Sequence, residues 1–558
     1  MQIDIKKLGY RWKGVYNSLT TYDAGDVVYK DSGTYRIDDN NNLVSFGLGQ
    51  QDVTTKGHLL TGGASLGGAK ASVLHSAGNS GIEFRFGDER NTYAVKSLGE
   101  DVKSNRGEAY PYNYFTPRLL MSDGTVRSWG QANNDGRHGW GNHSNNSASY
   151  ETKRVAFPKG VVIDKLYGGV VSCIAVDTNG HSWGWGSYAG NGSQSVQIPV
   201  RHYDTLPELQ NEKIVEVEHA YQWYGEGNYM LRTESGKLYT YGYNGYGQCG
   251  DGTTTNITTI KRVGENEFTS PIAKILKVMP YTYGFTCVKD TNGDVWTTGN
   301  HSNYGLTPQG TSFQKQTKFT TGDIVDIVAN IQDGHWVAGA QYYGCLFVLM
   351  ANGDAYNLTA SGLNQTSWGG TNNYTNHLFA TNCKEIVGEN GGYGRAMYRG
   401  NSNDSNGENT LYYRGYNGGS VNNSNPTGAN TTTWHQVIDE NGQSIKAIKM
   451  GMYGAHYSSH LSALTATGKL YMWGFTQSGS SGRGNSLTNE PANVGLKPAY
   501  CPEKIVDYQV NGYSSSGTGY FTILALGESG KCYVCGYNNY GSANNINGNY
   551  HTFQPLRY

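Results

Sequence analysis

Few residues in this sequence have a type and spacing that could support chemistry. Cys532 and Cys535 form the only Cys-x-x-Cys pair, and one such pair without a second is a weak zinc signal. Both lie in a predicted strand, where residues three apart point to opposite faces of the sheet, so we expect structural thiols. His456 and His460 are four residues apart, a spacing that suits a metal ion only on a helix, whereas their surroundings predict a strand. The sequence therefore predicts no metal and no cofactor.

Motifs for catalysis are equally scarce. The sequence contains no P-loop and no His-Glu-x-x-His zinc motif, and the Gly-rich stretch 388–394 is not followed by a predicted helix, as a phosphate cradle would be. Cleavage of a polysaccharide would need two carboxylates about 5–5.5 Å or about 6.5–9.5 Å apart. Which of the 44 acidic residues the fold brings together is open at this stage. We predict that the protein is not an enzyme and keep a tail depolymerase as an alternative.

Composition narrows the class of protein. Of 558 residues, 78 are Gly and 44 are Tyr, only 16% are charged, and the formal net charge is −1. A nucleic-acid binder needs a basic surface to displace counterions from phosphates, so the charge argues against that partner. The longest apolar run, 345–351, has seven residues, against about 20 for a membrane-spanning helix. The first residues lack the apolar core of a secretory signal, so we expect neither export by that route nor membrane insertion.

A hairpin signature recurs along most of the chain: an apolar strand, a turn ending in Gly, then an aromatic strand closing on a second Gly six residues later. Seven copies have their turn glycine at Gly124, Gly180, Gly236, Gly293, Gly353, Gly468 and Gly530. A weaker eighth copy places Asn409 at that position. The copies follow each other at 56 to 62 residues, which leaves room for two more strands in each unit. Four-stranded units at this period predict an all-β fold, a β-propeller of seven or eight blades.

The stretch Asn244-Gly-Tyr-Gly-Gln-Cys-Gly-Asp-Gly252 follows the third hairpin. Together with the hairpins, it resembles the repeat of the regulator of chromosome condensation family, over roughly residues 100–558. That family usually closes seven blades, but eight hairpins favour eight here, with the tail 551–558 supplying the last outer strand. Exchange-factor and chromatin-binding members of the family imply one alternative function, a cellular propeller adaptor or nucleotide-exchange factor.

Residues 1–45 show a different sequence pattern. The order Trp12-Lys-Gly-Val-Tyr16, then Gly-Asp-Val-Val at 25–28, then Gly-Thr-Tyr35 resembles a small carbohydrate-binding module of the chitin-binding type, found in phage tail proteins. The pattern predicts a three-stranded meander. Trp12, Tyr16 and Tyr35 then offer flat faces to a sugar ring, or instead form the module's miniature core or an attachment surface.

The segment 46–100 is rich in Gly and Ser. Its phrase Thr54-Thr-Lys-Gly-His-Leu-Leu-Thr61 resembles one in the connectors of phage tail fibres. A segment of this composition has too few apolar residues for a core of its own, so we predict a connector that becomes ordered against other chains.

Tyrosines crowd the loops that follow the hairpins. Tyr supplies rigid amphipathic area, and the neighbouring Asn and Ser supply adaptable hydrogen bonds, a mixture typical of binding surfaces. The candidate carbohydrate-binding residues there are Tyr243, Tyr246, Tyr416, Tyr537 and Tyr540. Alternatively, the Asn-Gly and Tyr-Gly pairs serve only tight turns and packing between blades.

These observations predict three segments: an attachment module at 1–45, a connector at 46–100 and a propeller at 101–558. The order is that of a bacteriophage virion protein located at the tail or particle surface, a tail fibre or receptor-binding protein. Its expected partners are host-surface polysaccharide and other virion proteins, with itself as a trimer or part of a large assembly. A capsid, neck or baseplate decoration protein is the alternative within the same class.

Overall fold

The computed structural model describes ten strands within residues 2–86 and a larger set of segments from residue 94 onward. Those segments are 94–98, 116–130, 136–141, 149–168, 172–193, 195–221, 227–279, 284–301, 309–316, 324–330, 336–337, 340–341, 345–358, 377–388, 396–400, 409–415, 431–453, 460–474, 476, 479–484, 495–515, 518–537 and 549–556. The chain divides into two compact units, residues 1–93 with 557–558, and residues 94–556.

The first unit contains two sheets. Its strands are β1 Gln2–Asp4, β2 Arg11–Val15, β3 Asp26–Lys30, β4 Gly33–Ile37, β5 Leu43–Ser45, β6 Asp52–Val53, β7 Leu59–Leu60, β8 Ala64–Leu66, β9 Ala69–Leu74 and β10 Glu83–Phe86. One sheet has the order β2-β3-β4-β5, and the other has the order β1-β10-β9-β7-β6 with β8 on β9.

This arrangement differs from the predicted three-stranded meander. The sheet of the first 45 residues has four strands, and β2 and β3 are parallel, which requires a crossover rather than a hairpin. Strand β1 pairs with β10, so the predicted module and the predicted connector share a sheet. Alternating patterns predict strands but not which strands pair, because pairing depends on contacts distant in sequence.

The second unit consists of eight consecutive sheets, which we call blades 1–8. The strands of blade 1 are β11 Val95–Ser97, β12 Arg118–Met121, β13 Val126–Gly130 and β14 Ser149–Arg154. Those of blade 2 are β15 Ile163–Gly168, β16 Ser172–Asp177, β17 Ser182–Ser187 and β18 Ser195–Arg201. Those of blade 3 are β19 Ile214–Tyr221, β20 Gly227–Thr233, β21 Leu238–Gly242 and β22 Ile257–Val263. Those of blade 4 are β23 Ile272–Val278, β24 Phe285–Asp290, β25 Val295–Gly299 and β26 Gly310–Lys315. In blade 5, a separate two-stranded sheet, β28 Trp336–Val337 and β29 Ala340–Gln341, lies between the first and second strands in sequence; the blade itself has β27 Ile324–Asn330, β30 Cys345–Met350, β31 Ala355–Leu358 and β32 His377–Ala380. Those of blade 6 are β33 Cys383–Gly388, β34 Ala396–Gly400, β35 Asn409–Gly415, β36 Thr431–Gln436 and β37 Lys446–Ala447. Those of blade 7 are β38 Lys449–Tyr453, β39 His460–Leu464 and β40 Leu470–Gly474. Those of blade 8 are β41 Ile505–Ser515, β42 Thr518–Gly527, β43 Cys532–Gly536 and β44 Tyr550–Pro555.

Two short helices lie in the connection between blades 2 and 3. They are the helix α1, His202–Thr205, and a 3₁₀ helix, Pro207–Asn211. No helix in the described segments is long and apolar enough to cross a bilayer.

The predicted hairpins form the second and third strands of the blades. Seven turn glycines have φ between 77° and 88°, a region that residues with a Cβ rarely adopt, which explains why Gly recurs there. Blade 6 departs from the pattern: Asn409 is a buried strand residue paired with Ala447, not the turn residue that the sequence predicted. The spacing of the repeat fitted Asn409, but its backbone is extended, and the connection between the two strands spans residues 401–408.

A repeated backbone hydrogen bond joins neighbouring blades at six of the eight junctions in the described residues. The first residue of an inner strand donates its N–H to the turn glycine carbonyl of the preceding blade. The pairs and their N···O distances are Ile163 to Gly124 2.9 Å, Ile214 to Gly180 2.9 Å, Ile272 to Gly236 2.9 Å, Cys383 to Gly353 2.7 Å, Ile505 to Gly468 3.2 Å and Val95 to Gly530 2.8 Å. The last pair joins blade 8 to blade 1, so the ring closes after eight blades. The fold is therefore an all-β, eight-bladed propeller.

Each blade is one continuous stretch of chain, including the first and the last. Blade 1 begins at Val95, a few residues before the predicted start at 101. Blade 8 ends with β44, which pairs with β43 and confirms that the C-terminal tail supplies the last outer strand. Blades 8 and 1 therefore meet side by side, without sharing a sheet.

The core is distributed over the interfaces between neighbouring blades, which we call seams. The seam between blades 2 and 3, for example, buries Ile174, Leu231 and Tyr239, and that between blades 7 and 8 buries Leu470 and Phe521. Because both faces of each sheet are covered, the inner strands read as nearly continuous apolar runs.

Candidate functional site

The segments that follow the third strand of each blade lie at one end of the propeller, which we call the loop face. In three blades the residue after the closing glycine donates its N–H to the beginning of the second strand: Tyr243 to Gly227 (2.9 Å), Asn300 to Gly284 (2.8 Å) and Tyr537 to Phe521 (2.9 Å). Two predicted binding residues, Tyr243 and Tyr537, therefore occupy equivalent positions in blades 3 and 8. Both are half-buried.

Asn244 organises the loop of blade 3. Its side chain is fully buried, and its Nδ2 donates to Asp251 Oδ1 (2.8 Å) and to the carbonyls of Thr253 (3.0 Å) and Thr255 (3.2 Å). Its Oδ1 accepts from the Cys249 N–H (2.9 Å). One amide thus satisfies polar groups on both sides of the loop, which makes this loop rigid.

The end of the same loop, Gly247–Gly252, attaches to the outer strand of blade 4. The Gly252 N–H donates to the Thr311 carbonyl at 3.0 Å, and hydroxyls of blade 4 bond to carbonyls of the loop, Thr286 to Gln248 (2.7 Å) and Thr298 to Gly247 (2.8 Å). We call such a segment a clasp.

Clasps recur in three other blades, and each attaches to the next blade. The corresponding N–H to carbonyl bonds are Gly141 to Gln197 (3.0 Å), Gly192 to Thr258 (2.9 Å) and Gly484 to His551 (2.7 Å). The inter-blade role that the sequence left as an alternative for these Gly-rich loops is therefore present.

Clasp glycines are required by close packing. Gly250 has φ +75°, and a Cβ there would lie 2.5 Å from a ring carbon of Phe313 in the next blade. A larger residue would be strained twice, by its backbone and by this contact.

Tyr243 and Tyr246 are brought together by the loop of blade 3. Their ring centroids are 6.3 Å apart and their planes are inclined by 58°, and both side chains are half-buried. A Cβ on Gly245 would touch the Tyr243 hydroxyl, so the ring of Tyr243 folds back over the loop. Tyr246 is held from its backbone, since its N–H donates to Gln248 Oε1 at 3.0 Å.

The other predicted binding residues are not brought to this site by the described structure. Trp12 and Tyr35 lie in strands β2 and β4 of the first unit, and their side chains lie outside the described set. Tyr16, Tyr416 and Tyr540 lie outside the described residues altogether.

One ion pair stands beside the tyrosines. Lys261 Nζ lies 2.7 Å from Asp251 Oδ2. Burial alone would raise the pKa of the Asp251 carboxyl, but hydrogen bonds from Lys261 and Thr253 lower it below its usual value. This carboxylate is thus committed to the clasp, and it is not a free acid or base for catalysis.

Two hydroxyl–imidazole pairs in the interior have no local sequence signal. Ser182 Oγ lies 2.8 Å from His202 Nδ1, and Thr297 Oγ1 lies 2.9 Å from His301 Nε2. Such distances suit a nucleophile and its base. All four residues, however, are at most 3% exposed, so a substrate has no access and the pairs serve packing.

The cysteine and histidine pairs considered at the outset behave as core residues where they are described. Cys532 and Cys535 are buried in β43, and burial raises the pKa of both thiols. His460 is buried in β39 and stacks on Phe521 with centroids 5.1 Å apart, while His456 lies outside the described residues. Among the segments described, no three His, Cys, Asp or Glu side chains are grouped as metal ligands would be.

No protein-family model matches the sequence. Among solved structures, human WBSCR16 is 14% identical, with 69% of this chain and 96% of that chain covered and a TM-score of 0.44. Prp20p from Saccharomyces cerevisiae is 12% identical, with 83% and 90% covered and a TM-score of 0.42. The CRINKLY WD40 ectodomain of the Arabidopsis thaliana receptor kinase ACR4 is 12% identical, with 68% and 96% covered and a TM-score of 0.31. The assignment of the fold rests on the blades and the closed ring described above.

Proposed function

We propose that this chain is a structural protein of a virus particle, a bacteriophage tail fibre or receptor-binding protein. Its propeller displays the loop face to host-surface polysaccharide or to neighbouring virion proteins. The order of an N-terminal unit with an aromatic sequence motif and a propeller supports this proposal, as does a formal net charge of −1, which favours uncharged partners over nucleic acid. The proposal assigns binding, not catalysis, to the loop face.

The observation that carries the binding role is the rigid presentation of Tyr243 and Tyr246. The Asn244 network and the clasp hold the loop before any ligand arrives. A preorganised aromatic pair loses little conformational entropy on binding, so more of the contact energy remains as affinity. Two tilted, half-buried tyrosine rings match the apolar faces and hydroxyl edges of a neutral sugar.

Binding of purified host-surface polysaccharide to the full chain tests this role, measured by calorimetry. We expect Tyr246→Ala to weaken binding at least about tenfold, in line with the loss of one anchoring aromatic. Tyr203→Ala is the matched control, since Tyr203 is also half-buried but lies in α1 at the opposite end of the propeller. Equal binding by wild type and Tyr246→Ala would refute the assignment of this site, and shortening of the polysaccharide would favour the depolymerase alternative.

Location in the particle is tested separately, by immunogold labelling of purified particles with antibody against residues 101–558. Gold at the tail or fibre tips supports the receptor-binding role. Gold over the head would replace it with the decoration-protein alternative. Unlabelled particles, with all antigen in the soluble cell fraction, would overturn the virion proposal and favour the cellular adaptor.

A further inference from the structure

A row of four aromatic rings crosses the seam between blades 2 and 3 and ends in a histidine on each side. The ring centroids lie 5.2 Å apart for His202 and Tyr241, 4.7 Å for Tyr241 and Tyr229, and 5.5 Å for Tyr229 and His219. Both histidines are buried, with exposures of 0% and 3%. The row lies in the interior below the loop of blade 3, and it concentrates two histidines in one seam.

The hydrogen bonds of His202 place a proton on one of its ring nitrogens. Its Nε2 lies 2.9 Å from the Ala189 carbonyl, which can only accept, so Nε2 carries the proton. Nδ1 lies 2.8 Å from Ser182 Oγ, and burial favours the neutral ring, in which Nδ1 accepts from that hydroxyl. The remaining side-chain neighbour is the ring of Tyr241, and burial keeps the pKa of that phenol well above its usual value. Burial lowers the pKa of His202, and the bond to the Ala189 carbonyl opposes this shift.

The surroundings of His219 would stabilise a positive charge on its ring even less than those of His202. Neither of its ring nitrogens has a hydrogen-bond partner within the described segments, and the charge that acts on it is the positive Arg118 of blade 1. The neighbouring acid, Glu218, pairs across the sheet with Met230, which belongs to the seam between blades 3 and 4. Its side chain is therefore on the opposite face of the sheet from His219.

We propose that the seam between blades 2 and 3 is an acid-sensitive joint, which opens in mildly acidic solution when His202 and His219 become protonated. Opening releases the clasp of blade 2, Tyr188–Gly192, because Ala189 in that clasp is the hydrogen-bond partner of His202. The loop face would then change at blades 2 and 3. This inference stands on the interior geometry and does not depend on the proposed function.

The direction of the effect follows from proton linkage. Burial lowers the pKa of His202 to about 4, and burial together with Arg118 lowers that of His219 to about 3. The closed seam thus binds fewer protons than an open one with ordinary histidines. The contribution of the two neutral histidines to the stability of the closed seam is fully present above about pH 6.5. It decreases as the pH falls from there toward the lowered pKa values of the closed seam. Between pH 7 and pH 5 the opening equilibrium should increase roughly 20-fold for each histidine.

Buried native thiols report on individual seams in the unmodified protein. Cys249 belongs to the seam between blades 2 and 3, and Cys383 belongs to the seam between blades 5 and 6. No residue described as buried in blades 5 and 6 is a histidine, so Cys383 is the control. A dipyridyl disulfide reacts with thiols in acid, and mass spectrometry assigns the labelled residue. With rates referred to the unfolded chain, we expect labelling of Cys249 to rise more than tenfold from pH 7 to pH 5, while labelling of Cys383 stays unchanged. An unchanged Cys249 rate, or an equal rise at both thiols, would overturn the proposal.

Variants connect the response to the histidines. His219→Phe keeps a ring of similar shape without a titratable nitrogen, and His219→Gln keeps a polar side chain if the larger ring disturbs folding. Either variant should lose roughly 20-fold of the acid response at Cys249. His435→Phe, at a half-buried histidine in the outer strand of blade 6, is the matched control and should respond as wild type. A wild-type acid response in both His219 variants would overturn the proposal.

Discussion

Substitution of Asn244 by alanine tests the idea that one buried amide holds the binding loop of blade 3. The change removes one acceptor and three donor bonds. The carbonyls of Thr253 and Thr255 belong to exposed residues and can bond to water instead. The N–H of the buried Cys249 cannot, and an unsatisfied buried donor costs about 1–3 kcal/mol. When the smaller net contributions of the bonds to Asp251, Thr253 and Thr255 are added, we expect the free energy of unfolding to fall by about 3 kcal/mol.

Urea unfolding followed by tryptophan fluorescence and by circular dichroism measures this loss, and the two probes must coincide for the linear extrapolation to hold. Asn292→Ala is the control, since that exposed turn amide donates a single side-chain bond, to Ser270, and should cost less than about 0.5 kcal/mol. A loss below about 1 kcal/mol for Asn244→Ala would refute the reasoning, because the buried donor alone should cost that much.

Three further predictions concern seams, acid and strain. Gly530→Ala should lower the urea midpoint more than Gly293→Ala. Both glycines have positive φ, but only at Gly530 would a Cβ clash with the next blade, at 2.4 Å. Equal shifts for the two variants would contradict the seam contact. Burial raises the pKa of the Glu503 carboxyl, but hydrogen bonds from a tyrosine and a serine lower it below the usual 4.5; its contribution is therefore present above about pH 4.5 and is lost as the pH falls through the lower folded value. The difference in urea midpoint between wild type and Glu503→Gln should shrink in acid, and a difference that stays constant would contradict this reasoning. Tyr188→Gly removes the strain of a φ of 51°, which stabilises the fold by about 1 kcal/mol. It also removes a buried ring, which destabilises the fold by about 2–3 kcal/mol. Thermal denaturation should therefore show a lower melting temperature, and a more stable variant would refute this reasoning.

The hairpins were predictable because a turn at positive φ requires a specific residue type. Each strand–Gly–strand signature with a true turn glycine became the second and third strands of a blade. At Asn409 the repeat matched in spacing but not in residue type. That residue lies in a strand, and the connection before it is longer than a tight turn. Repetition at a constant period then predicted the propeller, since each unit can bury its faces only against neighbours.

The candidate site was predictable only in part. Equivalent positions of Tyr243 and Tyr537 followed from their place after a closing glycine. The pairing of Tyr243 with Tyr246, and the four bonds of Asn244, depend on how the chain folds back on itself within the loop. Sequence patterns show that such a loop is rich in Asn and Gly, but they do not distinguish a flexible loop from a clasp.

By itself, the sequence determined the fold class, the hairpins and the choice of residue at each turn, because these depend on local backbone preferences and on short-range alternation. Tertiary structure decided the closure after eight blades, which depends on the Val95 to Gly530 bond between residues more than 400 positions apart. It also decided which polar side chains are buried. Ser182 and His202, 20 residues apart, meet because Trp183 and Arg201 pair across two strands of blade 2. His219, Tyr229 and Tyr241 meet because they lie opposite one another on three neighbouring strands of blade 3, and packing against blade 2 buries the two tyrosines. The chemistry of such groups is set by strand pairing and by packing between blades, not by any one segment alone.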